Sequence, residues 1–90
     1  AGKCMVEETA RMFDKGGRLS RYTAACKLYC TEMVGRVADR AVQIHGGSGY
    51  IADYAVERFY RDVRVFRLYE GTSQIQQLLI AKEMIRDYER

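Results

Sequence analysis

Apolar residues recur every three or four positions through most of this chain, and the places where the rhythm breaks divide it into helical stretches. From Lys3 to about Lys15, Cys4, Met5, Ala10, Met12 and Phe13 mark a loose helical face, which Gly16-Gly17 ends. Ser20 is placed to cap a second helix. Its apolar positions Tyr22, Cys26, Tyr29 with Cys30, Met33 with Val34, Val37, Ala41 and Ile44 form a stripe about six turns long. Arg21, Lys27, Glu32, Arg36, Asp39 and Arg40 fall mostly on the other side, with Glu32 one turn ahead of Arg36 in the favourable order. So long a stripe predicts a core element. Glycines at 46, 47 and 49 stop it, and Asp53 is placed to cap a third helix through about Asp62. Between Val63 and Leu68, apolar and arginine positions partly alternate, and the expectation is further helix followed by an irregular link. Ser73, with Gln76 three residues on, reads as a capping box opening a last helix that runs to about Tyr88 and buries Ile75, Leu78, Leu79 and Ile85. The expected fold is all-α. Three helices and a helix tail make only part of an up-and-down four-helix bundle, so the rest would come from other segments.

Composition narrows the class. Ninety residues allow one domain, which would bury little more than ~60% of its unfolded surface, so a partner surface is expected. Apolar residues at 48%, charged residues at 30% and the absence of proline fit a folded helical protein and not a disordered tail. The 15 basic residues are interleaved with 12 acidic ones, and a net charge of +3 argues against a nucleic-acid surface. The seven tyrosines recur at helical spacing, which assigns them to core edges and interfaces instead of base stacking. Uncharged stretches, such as the one from Gln74 up to Lys82, are far shorter than the ~20 apolar residues of a membrane span. Glu7 and Glu8 interrupt any signal-peptide pattern, and without an initiating Met the chain reads as a piece of a longer protein. Cys4, Cys26 and Cys30 are odd in number and lack a Cys-x-x-Cys, which reads as reduced packing in the cytoplasm or the mitochondrial matrix. One histidine and no Cys/His cluster argue against a structural metal site.

Candidate chemistry gathers in two glycine-bearing turns. Tyr69-Glu70-Gly71-Thr72 sets a carboxylate on a tight turn, and Ser73-Gln74-Ile75-Gln76 opens the helix that follows. On residue chemistry alone, Glu70 complements a positive helix end, Gly71 is a turn glycine, and Thr72, Ser73 and Gln74 are a helix start. Gly46-Gly47-Ser48-Gly49 follows a helix, the wrong polarity for a phosphate loop, and reads as a left-handed cap and turn. His45 is the sole imidazole, and no catalytic role is expected of it. Arg58, Arg61 and Asp62 would pass for a solvated helix face.

The joint order and spacing of Gln43-Ile44-His45-Gly46-Gly47-Ser48-Gly49-Tyr50, Val56-Glu57-Arg58-Phe59-Tyr60-Arg61-Asp62 and Tyr69-Glu70-Gly71-Thr72 closely resembles the C-terminal helical domain of the acyl-CoA dehydrogenases. The resemblance is strong over roughly two-thirds of the chain, from about Ala24 onward. It implies that Glu70 is the general base, removing the α-proton of an acyl-CoA thioester while the β-hydride passes to FAD. An ordinary carboxylate, with a reference pKa of ~4.3, is a poor base for such a proton. Water exclusion strengthens the base, and hydrogen bonds to the thioester carbonyl acidify the substrate. The resemblance assigns those bonds to the base's own N–H and a flavin ribityl hydroxyl, and gives Gly71 to the substrate. It places Thr72, Ser73 and Gln74 against FAD. Gln43, Gly46 and Gly47, with Ile44 and His45 between them, would reach the ADP part of a FAD held mainly by a neighbouring subunit. Arg58, Arg61 and Asp62 become structural ion pairs. Retention of Glu70 in this loop points to the short-, medium- or short-branched-chain group. By the same resemblance the partners are an electron-transfer flavoprotein and further copies in a dimer or tetramer. The N-terminal helical domain, the middle β-domain and the first helices of the bundle have no counterpart, so the isolated chain should be inactive. The alternative from another class is a helical assembly module on the same scaffold without chemistry. A basic helical domain unrelated to the family is the weaker third.

Overall fold

One long helix organises the computed structural model, which describes residues 1–89. The order is α1 (Gly2–Asp14), α2 (Ser20–His45), α3 (Val56–Arg64) and α4 (Ser73–Glu89), with 3-10 turns at Gly46–Tyr50, Ala52–Tyr54 and Val65–Arg67. The described residues contain no strand. No helix among them is long and apolar enough to cross a membrane.

α1, α3 and α4 each pack on α2. Side-chain contacts give their directions. Thr9 Oγ1 lies 3.2 Å from the Cys26 sulfur, which also reaches the Met5 carbonyl at 3.4 Å, while Cys30 approaches the Gly2 carbonyl at 3.9 Å. Early α1 therefore faces later α2, and the two run antiparallel. All three cysteines are free thiols. α4 is antiparallel to α2 as well, since Arg21 near the start of α2 pairs with Asp87 at 3.3 Å, whereas Glu32 further along meets Ser73 at 2.6 Å. α3 lies over the last third of α2, where Tyr60 and Arg64 share a cavity with Gly35 and Asp39. α3 and α4 thus follow one another along α2, and the link between them sits opposite its middle.

Several helix ends differ from expectation. α2 is entered from Leu19 with no side-chain cap, so Ser20 is its first residue and not its cap. Asp53 falls inside a 3-10 turn, and Ala55, at φ 65°, separates that turn from α3, which starts at Val56. α3 then tightens into the Val65–Arg67 turn before the link, as the mixed pattern there predicts. In α4 the predicted inward face is wrong. Ile75, Leu78 and Ile85 are exposed, while Ser73, Gln76 and Glu83 are buried. Those three positions share one helical face, on which Ser73 meets Glu32 of α2 and Gln76 meets the link before α4. Arg18, in the α1–α2 loop, satisfies Glu83 with two hydrogen bonds, at 2.8 and 3.2 Å. Arg58, Arg61 and Asp62 form no ion pair among the described residues; Arg58 instead lies 5.6 Å from the Phe59 ring centre.

The core is thin. Ala24 and Ala38 are the buried apolar residues of the described chain. The radius of gyration is 16.4 Å, against about 12 Å for a compact domain of this length. The accessible area is 6818 Å², against about 5,400 Å² for a compact monomer of this mass. An open groove of about 400 Å³ lies over α2 between α1 and α4, lined by Met5, Ala25, Leu28, Tyr29, Gln77 and Ile80 among others. The chain is elongated and buries little apolar surface of its own.

Candidate active site

The link from Leu68 to Thr72 carries Glu70 outward at the junction of α3 and α4. Glu70 is exposed. Its φ of 52° lies in the left-handed region, which costs a non-glycine residue conformational energy and persists only where the surroundings enforce it. Two side chains do so here. Lys27 of α2 donates to the carbonyls of Phe66 at 2.8 Å, Tyr69 at 3.1 Å and Gly71 at 2.6 Å. Three acceptors match the three donors of an ammonium group. From the other side, Gln76 Nε2 donates to the Glu70 carbonyl at 3.3 Å and, at the limit of hydrogen-bonding distance, to that of Gly71 at 3.5 Å. Gly71, at φ 92°, leaves room for this contact, because a Cβ there would stand 2.6 Å from Gln76 Nε2. Gln76 therefore holds the turn from beneath instead of completing a capping box with Ser73.

The start of α4 is fixed by the neighbouring residues. Thr72 Oγ1 accepts from the Ile75 N–H at 3.2 Å, so Thr72 supplies the cap expected of Ser73. The Ser73 hydroxyl is buried and donates to Glu32 at 2.6 Å. Glu32 also pairs with Arg67 at 3.2 Å. The Ser73 hydrogen bond foremost, with Arg67 adding to it, holds the Glu32 carboxyl below its ordinary range against the opposing effect of burial. The pairing of Glu32 with Arg36 expected along α2 gives way to these tertiary partners. Arg67 in turn lies along Gly35, where a Cβ would stand 3.6 Å from its Nε. Gln74 is exposed.

The second cluster lies elsewhere. Gln43, Ile44, His45, Gly46 and Gly47 are exposed at the C-terminal end of α2. Gln43 is sixteen residues beyond Lys27, about 24 Å along the helix axis. The structure therefore brings Glu70, Gly71, Thr72, Ser73 and Gln74 together and leaves Gln43 to Gly47 apart from them. Gly46 has φ 63° with ψ −144°, a combination open essentially to glycine. A Cβ on Gly46 or Gly47 would meet nothing within 4 Å, so both backbones are open to an approaching group. His45 turns its Nδ1 onto its own helix, 2.8 Å from the Ala41 carbonyl. A polar, exposed amide beside open glycine backbone suits the edge of a large cofactor.

The profile of the acyl-CoA dehydrogenase C-terminal domain matches residues 1–85. The chain belongs to the acyl-CoA dehydrogenase family. Among its relatives is the CarC subunit of the caffeyl-CoA reductase–Etf complex of Acetobacterium woodii, 43% identical over 86 residues, which are 96% of this chain and 23% of that protein. The cyclohexane-1-carbonyl-CoA dehydrogenase of Geobacter metallireducens is 33% identical over 87 residues, 97% of this chain and 23% of its own length. The crystal structure of an acyl-CoA dehydrogenase from Geobacillus kaustophilus superposes with a TM-score of 0.87 at 34% identity, over 92% of this chain and 22% of that one. The chain spans less than a quarter of the length of these relatives. Its all-helical fold is that of the family's C-terminal domain.

Four site residues went unrecognised in the sequence as partners of the turn: Lys27, Glu32, Arg67 and Gln76. A signal for Lys27 was present. Ala24, Thr31, Gly35 and Ala38 form a small-residue stripe beside the larger apolar one, and Lys27 lies in it, one turn after buried Ala24.

Proposed function

We propose that this chain is the base-bearing part of a flavin-dependent acyl-CoA dehydrogenase, in which Glu70 takes the α-proton of an acyl-CoA thioester as the trans-2-enoyl-CoA forms. The observation that carries the reading is the placement of Glu70: an exposed carboxylate on a left-handed backbone, braced by Lys27 and Gln76 at the meeting of two helices. Backbone strain held in place by surrounding structure is characteristic of functional loops. The carboxylate is open to solvent in this chain, so the water exclusion that strengthens a base comes from substrate and from the segments that close over the turn.

Thr72 and Gln74, with the free edge of α4, are the residues that would lie against the flavin near Glu70, and Gly71 would face the substrate. The Ser73 side chain is committed to Glu32, which leaves its backbone for any cofactor contact. Gln43, Gly46 and Gly47, flanked by Ile44 and His45, would hold the ADP portion of FAD. Their distance from Glu70 fits a cofactor whose reactive end serves a neighbouring subunit, and therefore a dimer or tetramer. When bound, FAD supplies the acceptor for the β-hydride. The same carboxyl group serves either direction of reaction, since a protonated Glu70 returns its proton to the α-carbon of an enoyl-CoA. The CarC relative is a subunit of a reductase–Etf complex, which supports an electron-transfer flavoprotein as the redox partner. Without the segments that hold the rest of FAD and the CoA, the isolated chain is inactive.

The test is an anaerobic visible spectrum of the full-length protein, before and after addition of saturated acyl-CoAs from butyryl-CoA to palmitoyl-CoA, with Glu70→Gln alongside. The expected outcome is flavin bleaching by wild type and its loss, by at least about 10²-fold in rate, in a variant that still binds flavin. Bleaching indifferent to the substitution would place the base elsewhere, and absence of flavin would favour the assembly-module reading.

A further inference from the structure

Lys27 is not an ordinary surface lysine. It projects from the first third of α2, and its ammonium group converges on three carbonyls of a single short segment, those of Phe66, Tyr69 and Gly71, all within 3.1 Å. No carboxylate pairs with it among the described residues. Its bonds bracket Glu70 on both sides.

The consequence follows from peptide geometry. A trans peptide places its C=O and the following N–H on opposite sides, and the described chain has no cis peptide. Turning the Tyr69 carbonyl onto Lys27 therefore turns the Glu70 N–H away from α2, towards the outer side of the turn. Gln76 acts likewise on the next unit: by drawing in the Glu70 carbonyl it turns the Gly71 N–H outward. The left-handed φ of Glu70 is the conformation that meets these constraints together. Without Lys27, the Phe66 and Tyr69 carbonyls lose the ammonium donor, that of Gly71 keeps only the long contact with Gln76, and the strained backbone loses its main restraint, leaving the turn free to relax.

We propose that Lys27 is a positioning residue for the reaction: it orients the Glu70 carboxylate and the Glu70 N–H together, so that base and carbonyl-polarising donor face the thioester from one preset turn. The proposal rests on Glu70 being the base. Lys27 touches no reacting atom itself and acts entirely through the backbone.

The experiment uses the full-length flavoprotein and three variants: Lys27→Met, Lys27→Arg and Glu70→Gln. The probe is the member of the butyryl- to palmitoyl-CoA panel that bleaches wild-type flavin fastest, and the readouts are the limiting rate of flavin reduction per bound flavin, the half-saturating acyl-CoA concentration and flavin content. Misplacement of a catalytic group by about 1 Å can cost about 10²-fold in rate. Lys27→Met is expected to lower the limiting rate about 10- to 100-fold while the half-saturating concentration moves less than about 3-fold. Lys27→Arg keeps the charge and some of the donors in a planar fork, and is expected to recover part of that loss. A purely structural lysine would lower flavin content and thermal stability but leave the rate per bound flavin unchanged. Full-rate reduction by Lys27→Met, with Glu70→Gln inactive, overturns the positioning role and leaves the base assignment standing. Bleaching by Glu70→Gln overturns the base assignment itself. If neither lysine variant retains flavin, Lys27 is a folding residue and the proposal fails.

Discussion

Three glycines at the two turns are there for different reasons, and the reasons can be separated by substitution. Gly46 needs its backbone angles, Gly71 needs both its angle and the space Gln76 occupies, and Gly47 needs neither within this chain. Gly46→Ala should therefore destabilise the full-length protein by about 1–3 kcal/mol, read by denaturant unfolding of the apo form. Gly47→Ala should leave that stability within about 0.5 kcal/mol. If flavin closely approaches the Gly47 backbone, the same variant should nonetheless lose flavin on dilution. A Gly47→Ala protein that keeps wild-type flavin affinity would remove this residue from the cofactor site. The sequence showed that glycines cluster here but could not rank them, because φ and neighbouring space are properties of the folded chain.

Between elements, polar pairs tie α2 to α4 at Ser73–Glu32 and at Asp87–Arg21. The Ser73–Glu32 hydrogen bond joins the two helices just beside the turn that carries Glu70. Because the Glu32 carboxyl is held below 4.5, the stability it contributes is fully present above that pH and is lost as pH falls through the lower folded value. Ser73→Ala removes the largest cause. The variant should be less stable by about 1 kcal/mol at neutral pH, allowing for the partial exposure of Glu32. Its deficit should shrink on acidification through that range, as followed by denaturant midpoints at a series of pH values. A deficit unchanged by pH would mean that the bond does not couple to ionisation. Helix number and approximate span were legible from periodicity, and so was the composite nature of the Val63–Leu68 stretch. Which face of α4 turns inward was not. Ile75, Leu78, Leu79 and Ile85 form the more apolar face, which periodicity alone turns inward. In this chain Ser73, Gln76 and Glu83 are the inward set because their partners, Glu32, the Glu70 carbonyl and Arg18, are already in place.

At the scale of the molecule, an elongated body with two buried apolar residues among those described leaves many side chains to be covered. Ile75, Leu78 and Ile85 on α4, Phe13 on α1 and Tyr50 near the glycine turn are all more than half exposed. A surface of this kind marks a contact face. The isolated 90-residue chain should therefore elute from a sizing column as a self-associated or partly unfolded species and should bind an apolar dye. A compact, dye-silent monomer would show that the chain closes its own core. The arrangement of the candidate site was legible only in part: the turn bearing Glu70 could be recognised from adjacent residues, whereas Lys27, which braces it, lies 43 positions away along the chain.

The polar seam on α4 also behaves as a vernier. Arg18 engages Glu83 near one end and Glu32 engages Ser73 at the other, so the helix is indexed at two points along its length. A slip by one turn displaces a helix by about 5.4 Å along its axis. Here the same slip would unseat both points together, leaving Glu83 without Arg18 and Glu32 without the Ser73 hydroxyl. The height of Glu70 along the bundle is thereby set to a fraction of a helical turn by charge and hydrogen bonding, at a site where greasy packing alone would have left it free to drift.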